Sequence, residues 1–340
     1  LVGGDKIMKK KVAFITGITG QDASYLAELL IEKNYKVHGL IRRVAVENQE
    51  ERLSRILHIK DKIKLHHGTL ESYPRICQII EEIKPDECYH LAANSFVKVS
   101  FEDEFSTMNT NINGTHHILS AINTFAPKCK VYIATSSEMF GKVQEIPQTE
   151  KTPFYPRSIY GITKVADFYL AQYYREAYNL FACSGILFNH ESPRRGIEFV
   201  TRKITNAVAK IKLGKQKELR LGNIESKRDW GHSRDYVYAQ WLMLQRDKPD
   251  DFIIATNEVH SVKEFLQEAF GYVGLNWQDY VVIDPKFYRP ADVNLLIGDY
   301  SKARKKLKWK PKIKFKKLVR LMMDNDLEIE RKLENKKIGD

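Results

Sequence analysis

One stretch near the start of this 340-residue chain limits its fold more than any other: "FITGITGQDASYL", Phe14 to Leu26. Before it, Lys11 to Thr16 is a short apolar run of the kind that forms a strand buried on both faces. After it, Asp22 to Glu32 carries Tyr25, Leu26, Leu29, Leu30 and Ile31 on one helical stripe. Gly17 and Gly20 fall in the turn between strand and helix. There they let backbone N–H groups approach a pyrophosphate, with the helix dipole adding to the attraction. Ala23 takes the place of a third glycine, where the dinucleotide fingerprint admits alanine. Glycines in such turns also serve packing, so the context of strand and helix carries the reading.

That unit repeats. Lys36–Ile41, Ile63–His66, Glu87–Leu91 and Lys130–Ala134 read as further strands, and Ser72–Ile83 and Asn113–Phe125 as helices between them. Strands alternating with helices imply βαβ units, and right-handed crossovers make them an α/β, doubly wound parallel Rossmann sheet. After about Phe188 the rhythm changes to longer loops rich in arginine, proline and glycine, among them "NHESPRRG" and "LGNIESKRDWG". The expected organisation is a dinucleotide-binding domain over 8–188. A smaller mixed α/β substrate domain, mainly 189–340, is interleaved with it. Leu1 to Ile7 precede Met8 and read as a vector-derived remnant outside the fold.

Several classes recede on composition. No apolar run approaches the roughly 20 residues needed to span a bilayer, and no signal-peptide pattern opens the chain, so a cytoplasmic protein with no membrane partner is expected. Cys77, Cys88, Cys129 and Cys183 are scattered without CxxC pairs, which favours buried thiols over a disulfide framework or a metal site. The net charge of +12 is concentrated in "SKARKKLKWKPKIKFKKLVR", where Leu307, Trp309, Ile313, Phe315, Leu318 and Val319 recur at buried-face spacing. Its lysines therefore read as a solvated face and not as a nucleic-acid site. A positive field that attracts a phosphorylated small molecule accounts for the charge.

At the end of the second strand, where an acidic residue would select NAD, the chain has Arg42 and Arg43. Two guanidiniums there favour a 2′-phosphate and hence NADP; an exposed basic pair on a loop is the alternative. Tyr160 and Lys164, in "YGITK", lie four apart at the start of a helical segment and share one face. An ammonium beside a phenol favours the phenolate, a base for an alcohol proton during hydride transfer. Thr135, Ser136, Ser137 and Glu138 follow the fifth strand, at the carboxyl edge where open α/β sheets bind ligands. Simple hydride transfer has no need of that glutamate; capping a helix is its structural alternative.

On "FITGITGQDASYLAELL", "SSEMFGKVQEIPQTEKTPFYPRSIYGITK", "GILFNHESPRRG", "FVTRKI", "KRDWGHSRDYV" and "YRPADV", the chain from Lys10 to about Leu327 resembles the extended short-chain dehydrogenase/reductase superfamily. Within it, the resemblance is to the GDP-mannose 4,6-dehydratases. It implies a lyase in which Tyr160, assisted by Ser136, takes the O4 proton while hydride passes from C4 to NADP. Glu138 would then remove the C5 proton and protonate the departing C6 hydroxyl, and the hydride would return to C6. Lys164 would hold the nicotinamide ribose and tune Tyr160. The cofactor site would comprise Gly17, Ile18, Thr19, Gly20, Gln21, Asp22, Arg42, Arg43, Thr69, Leu70, Leu91, Ala92, Ala93, Ser95, Lys164, His190 and Arg195. Asn94, Asn189, Val200, Lys203, Arg228, Arg289 and Asp292 would surround the GDP-sugar. A homodimer or homotetramer is implied, with 113–125 and 160–178 as candidate interfaces.

The chain departs from the family pattern at Thr69, where aspartate is usual, at Asn94 and Phe96, where glutamine and histidine are usual, and at Val44, Ala45 and Val46. Asp292 stands where glutamate is common. Because Asn94 is shorter than glutamine, the substrate expected is GDP-mannose or GDP-D-glycero-D-manno-heptose. Two other readings stay open: an oxidoreductase or epimerase on the same fold, against which Glu138 argues, and a non-catalytic NADP sensor, which has no need of Ser136, Glu138, Tyr160 and Lys164 together.

Overall fold

The computed structural model describes residues 9–42, 52–288, 293 and 295–339, so the proposed remnant 1–7 lies outside the described residues. Strands Val12–Thr16 (β1), Lys36–Ile41 (β2), Ile63–His67 (β3), Glu87–His90 (β4), Lys130–Ser136 (β5), Ala182–Leu187 (β6) and Phe252–Ile254 (β7) join in one sheet. Its order is β7-β6-β5-β4-β1-β2-β3, and every pairing is parallel. The order reverses between β1 and β4, where Thr16 faces His90 in the register. A crevice for ligands opens at such a switch point, outside the carboxyl ends of the strands.

Among the described residues, the α-helices of seven residues or more are Gln21–Glu32 (α1), Tyr73–Ile83 (α2), Gly114–Phe125 (α3), Ile159–Tyr178 (α4), Val200–Lys212 (α5), Ser233–Leu244 (α6), Val262–Tyr272 (α7), Ser301–Leu307 (α8) and Phe315–Gly339 (α9). Alternation along β5 shows how both faces of the sheet are covered. Tyr132 enters a core with Leu26 and Leu30 of α1 and Val237 and Met243 of α6. Val131 and Ile133 point the other way, into a core with Ile76 and Ile79 of α2 and Ile118 and Ile122 of α3. Fully burying side chains of this size contributes about 1.5–3 kcal/mol each.

The chain returns to the sheet after leaving it. β7 is three residues long, yet it docks on β6 because Asp251, just before it, is a tether. The Asp251 carboxylate accepts two bonds from Arg175 at 3.1 and 2.8 Å and one from the Ser184 amide at 2.7 Å. A separate core joins α5, α7 and α9 around Trp230, Phe265, Phe315 and Met322. The basic segment expected to present a solvated face does so: Leu307, Trp309, Phe315, Leu318 and Val319 are buried while Lys305, Lys306, Lys308 and Lys310 are exposed. All four cysteines are free thiols, and among the described residues no helix is long and apolar enough to cross a membrane.

Candidate functional site

Gly17 has φ +68°, and a Cβ there would stand 2.9 Å from the Ala92 Cα, so the turn after β1 can close on the end of β4 only with glycine. Thr16 secures the same junction, its Oγ accepting the amides of Leu91 and Ala92 at 3.1 and 3.0 Å. α1 begins at Gly20, which offers no side-chain cap, so the amides of its first turn keep their capacity to bind an anion. Ala23 is 1 % exposed and packs in the core beneath α1, where its methyl is accommodated.

Two residues of this turn are fixed from far along the chain. Gln21 donates to the His190 carbonyl at 3.1 Å and accepts from Ser192 at 2.8 Å. Asp22 meets the His190 Nε2 at 2.7 Å, while His190 Nδ1 bonds the Phe188 carbonyl and the ring stacks on Tyr236. Burial alone would lower His190, but the Asp22 carboxylate outweighs it and holds the imidazole above its ordinary value. Burial likewise opposes the Asp22 charge, which His190 and Arg195 then stabilise so that its carboxyl sits below its usual range.

At the other end of the crevice, Ser136 ends β5 and its Oγ accepts the Glu138 amide at 3.2 Å, capping the single turn Ser137–Met139. α4 starts beside this turn. Ser158 caps it by accepting the Gly161 amide at 3.0 Å, and Gly161 lies so close that a Cβ there would be 2.8 Å from the Glu138 carbonyl oxygen. Tyr160 and Lys164 thereby line the same space as Ser136 and Glu138. The Lys164 Nζ sits 5.9 Å from the Tyr160 ring centroid and donates to the Ala134 carbonyl at 3.0 Å and to Asp167 at 2.9 Å. Burial pulls the Lys164 ammonium down; Asp167 and Tyr160 more than compensate and hold it above its ordinary value.

Gly20, Gln21, Asp22, His190, Ser136, Glu138, Tyr160 and Lys164 all face one cleft of about 1200 Å³. A pocket for one small ligand is roughly 300–1,000 Å³, so there is room here for a cofactor and a substrate together. Gly17, Thr19, Gly20, Gln21, Asp22, Arg42, Leu70, Leu91, Ala92, Ala93, Ser95, His190 and Arg195 line it, and so do Asn94, Asn189, Val200, Lys203 and Arg228. Asn94 is held by Asn111, whose side chain accepts the Asn94 amide at 2.8 Å, donates to its carbonyl at 3.2 Å and reaches Thr163 of α4 at 3.0 Å. Phe96 packs edge-on against Phe199, over which the Arg195 guanidinium lies at 3.5 Å.

Two expected residues stand back from the cleft. The Ile18 side chain is fully buried, packed where a Cβ on Gly39 would meet it at 2.6 Å, so it braces β1 against β2. Thr69 is not among the lining residues, which include its neighbours Gly68, Leu70 and Glu71; its hydroxyl instead supports the Glu71 carboxylate. Arg43, Arg289 and Asp292, like Val44, Ala45 and Val46, lie outside the described residues. Sequence reasoning passed over Arg52 and Arg55, which line the cleft beside Arg42. Arg55 donates to the Thr19 carbonyl at 3.1 Å and the Arg194 carbonyl at 2.7 Å, tying the glycine turn to the 193–196 loop. Phe287 and Tyr288, which open the loop "FYRPADV", line the cleft as well.

Residues 14–322 match the family described as GDP-mannose 4,6 dehydratase. The chain belongs to that family. It is 50% identical over 352 residues to a GDP-mannose 4,6 dehydratase of Cricetulus griseus, covering 96% of this chain and 94% of the relative. With GDP-mannose 4,6 dehydratase 1 of Arabidopsis thaliana it shares 52% identity over 337 residues, 96% of this chain and 92% of the relative. Fold likeness extends beyond the dehydratase family. A UDP-glucose 4-epimerase of Thermotoga maritima superposes with TM-score 0.81 at 22% identity, over 94% of this chain and 99% of that one. A dTDP-glucose 4,6-dehydratase of Bacillus anthracis in complex with NAD gives 0.81 at 20% identity, over 94% and 98%. Family membership and fold neighbours agree with the doubly wound Rossmann architecture read from the sequence.

Proposed function

We propose that this protein is an NADP-dependent hydro-lyase that converts a GDP-sugar to its 4-keto-6-deoxy form. The observation that carries the reading is the placement of Glu138 in one cleft with Ser136, Tyr160 and Lys164, and of Arg42 at the end of β2 in that same cleft. The GDP-sugar assignment also draws on relatives about half identical over nearly the whole chain.

The residues present fit a dinucleotide. Gly17 and the uncapped start of α1 give a cradle that a Cβ at position 17 would fill. Arg42 supplies the cation for a 2′-phosphate, where NAD-selective sites carry an acid. When bound, the nicotinamide supplies a hydride acceptor for the sugar C4 and gives the hydride back at C6.

The protein's own groups manage the protons. Tyr160 takes the O4 proton, with Ser136 hydrogen-bonding the same oxygen. Oxidation at C4 acidifies C5, and Glu138 removes that proton. The protonated Glu138 then gives its proton to the C6 hydroxyl, which leaves as water, and the O4 proton held by Tyr160 goes to C5 as the hydride returns to C6. Lys203 and Arg228, which line the same cleft, hold the diphosphate of the substrate; planar guanidinium forks and ammonium groups suit that task.

Two sugars fit the reading, GDP-mannose and GDP-D-glycero-D-manno-heptose, and the wall formed by Asn94 and Phe96 is where they would be told apart. Incubating the protein with each GDP-sugar and NADP⁺, and following loss of water by mass spectrometry, tests the proposal. Turnover of GDP-mannose and not of the heptose would remove the heptose alternative. Failure of both would sink the dehydratase reading. Glu138→Gln should stop dehydration while still reducing NADP⁺, whereas an epimerase would keep its full activity. Tyr160→Phe should abolish turnover; a sensor would be indifferent to it.

Two copies of the chain are expected to associate. Of the two candidate interface segments, α3 buries Ile118, Leu119 and Ile122 against the sheet. α4 instead leaves Ile162, Tyr169 and Tyr173 43%, 56% and 54% exposed on one side. Phe105, on the adjoining helix Glu104–Met108, is 86% exposed. Large apolar groups so exposed mark a contact surface, and a second copy presenting the same helices would cover it.

A further inference from the structure

Three residues beyond Lys164 on the same helix lies a carboxylate that the proposed reaction has not used. Asp167 is 0% exposed, and its Oδ2 accepts from the Lys164 Nζ at 2.9 Å. We infer that Asp167 is a positioning residue for Lys164: its carboxylate holds the buried ammonium charged and oriented beside the Tyr160 ring. The inference rests on the reading of Lys164 as a cation of the reaction.

An ammonium has three protons to place. One goes to the Ala134 carbonyl at 3.0 Å and one to Asp167, which leaves the third for the cleft that Lys164 lines. With 4% of its surface exposed, this ammonium has little water to stabilise its charge. Without a counter-charge, a lysine so buried gives up its proton. Among the described residues, Asp167 is the carboxylate within ion-pair distance of it. The other groups facing the pair are the Tyr160 phenol on α4, His90 on β4 and Thr115 on α3.

The hydrogen bonds behind Asp167 run in one direction. The Thr16 Oγ already accepts the amides of Leu91 and Ala92, so its own proton goes to His90 Nδ1, 2.9 Å away. His90 must then carry its proton on Nε2 and donate it to the Thr115 Oγ at 3.1 Å. Thr115 in turn keeps a proton to offer, and its hydroxyl faces Asp167. Burial, together with the Lys164 charge, pushes His90 down to about 3, so the ring stays neutral and brings no second cation to the pair. The donors of this chain run toward Asp167: burial raises its carboxyl above the ordinary value, and Lys164 and Thr115 oppose that shift. The chain also starts at the turn that shapes the cofactor cradle and ends on the helix that carries Tyr160.

The test is a double-mutant cycle on the full-length protein: wild type, Lys164→Met, Asp167→Asn and the pair together, each unfolded in urea. Each single variant leaves one buried charge alone. The double variant should therefore lose at least tenfold less in the folding equilibrium constant than the two single losses combined. Combined losses that simply multiply would overturn the inference. If Asp167→Asn does not fold, recovery of folding in the double variant gives the same support, and failure of both overturns it. The cycle needs no catalysis, so it reads out even if no GDP-sugar is turned over and the proposed function falls. With activity in hand, the alkaline limb of the kcat–pH profile should move down by at least one pH unit in Asp167→Asn and be restored in Asp167→Glu. A fall by one common factor at every pH would mean a merely structural role.

Discussion

The Asp22 carboxylate and the His190 imidazole stand 2.7 Å apart although 168 residues separate them in sequence. The contact closes the crevice from both halves of the chain, since Asp22 belongs to the first turn of α1 and His190 follows β6. Folding raises His190, so its share of stability is complete below the unfolded value near 6.5 and is lost as pH rises through the folded value. Folding lowers Asp22, so its share is present above its unfolded value of about 3.8 and is lost as pH falls through the folded one. The pair is therefore intact between the folded values of Asp22 and His190. Asp22→Asn should cost about 3–5 kcal/mol in urea unfolding at pH 7. Cofactor affinity, followed by titration calorimetry, should decline above the raised value of His190.

Buried neutral histidines give the protein a second, opposite pH response. Burial first, then neighbouring cations, pushes His38 and His232 to about 4 and His90 to about 3. The unfolded chain takes up these protons below about 6.5 while the folded one does not. Their stabilisation is therefore full above 6.5 and is lost as pH falls from 6.5 toward 4. Each contributes on the order of 1.4 kcal/mol per pH unit. Urea midpoints measured from pH 7.5 to 5 should fall steeply below 6.5, and the slope should shrink by about one proton in His38→Gln. A flat profile through that window would refute the assignment.

Gly161 controls how closely the Tyr160 helix approaches the Glu138 turn. A methyl at that position meets the Glu138 carbonyl oxygen at 2.8 Å, a backbone atom that cannot swing aside. Gly161→Ala should move the tyrosine away from the carboxylate and lower kcat by roughly 10²-fold, the scale of a 1 Å misplacement. KM for the GDP-sugar should change much less, because the substrate-holding wall lies elsewhere. Steady-state kinetics with far-ultraviolet circular dichroism as a folding control separates the two parameters.

The apolar side of α4 should govern assembly. Tyr169→Glu combined with Tyr173→Glu places two charges on the exposed face that carries Ile162. Light scattering after size exclusion should then report a drop from an oligomer to the 39.5 kDa of one chain. Replacing residues of the buried α3 face would unfold the protein before it changed the mass.

What could be read from the sequence is what lies close along it. The five strands from Lys11 to Ala134 appear within a residue or two of their expected limits, because a short apolar run between turns has few other ways to be satisfied. The glycine turn and the Tyr160–Lys164 spacing were legible for the same reason. β7 was not, since "FII" is too short for any period and owes its place to Asp251 and Arg175, brought together from distant positions. Nor could local pattern pair Asp22 with His190, or show Asn111 clasping both backbone groups of Asn94 from a π-helical turn. Arg55 sits in "ERLSRIL" with no neighbour to mark it, and acquires meaning only when Thr19 and Arg194 fold against it.

The late return of the chain to its sheet has a consequence for biosynthesis. As the polypeptide leaves the ribosome, β6 has its inner neighbour β5 already formed, yet its outer edge stays bare until Phe252 to Ile254 have been made. An uncovered edge of a parallel sheet is an invitation to pair with another nascent chain. The Asp251 carboxylate, one residue ahead of β7 and bonded by Arg175 and the Ser184 amide, is the latch that holds this edge closed once it has been made. A break anywhere between residues 188 and 251 would put the latch and its keeper on separate pieces, and closing this edge would then become an encounter between two chains.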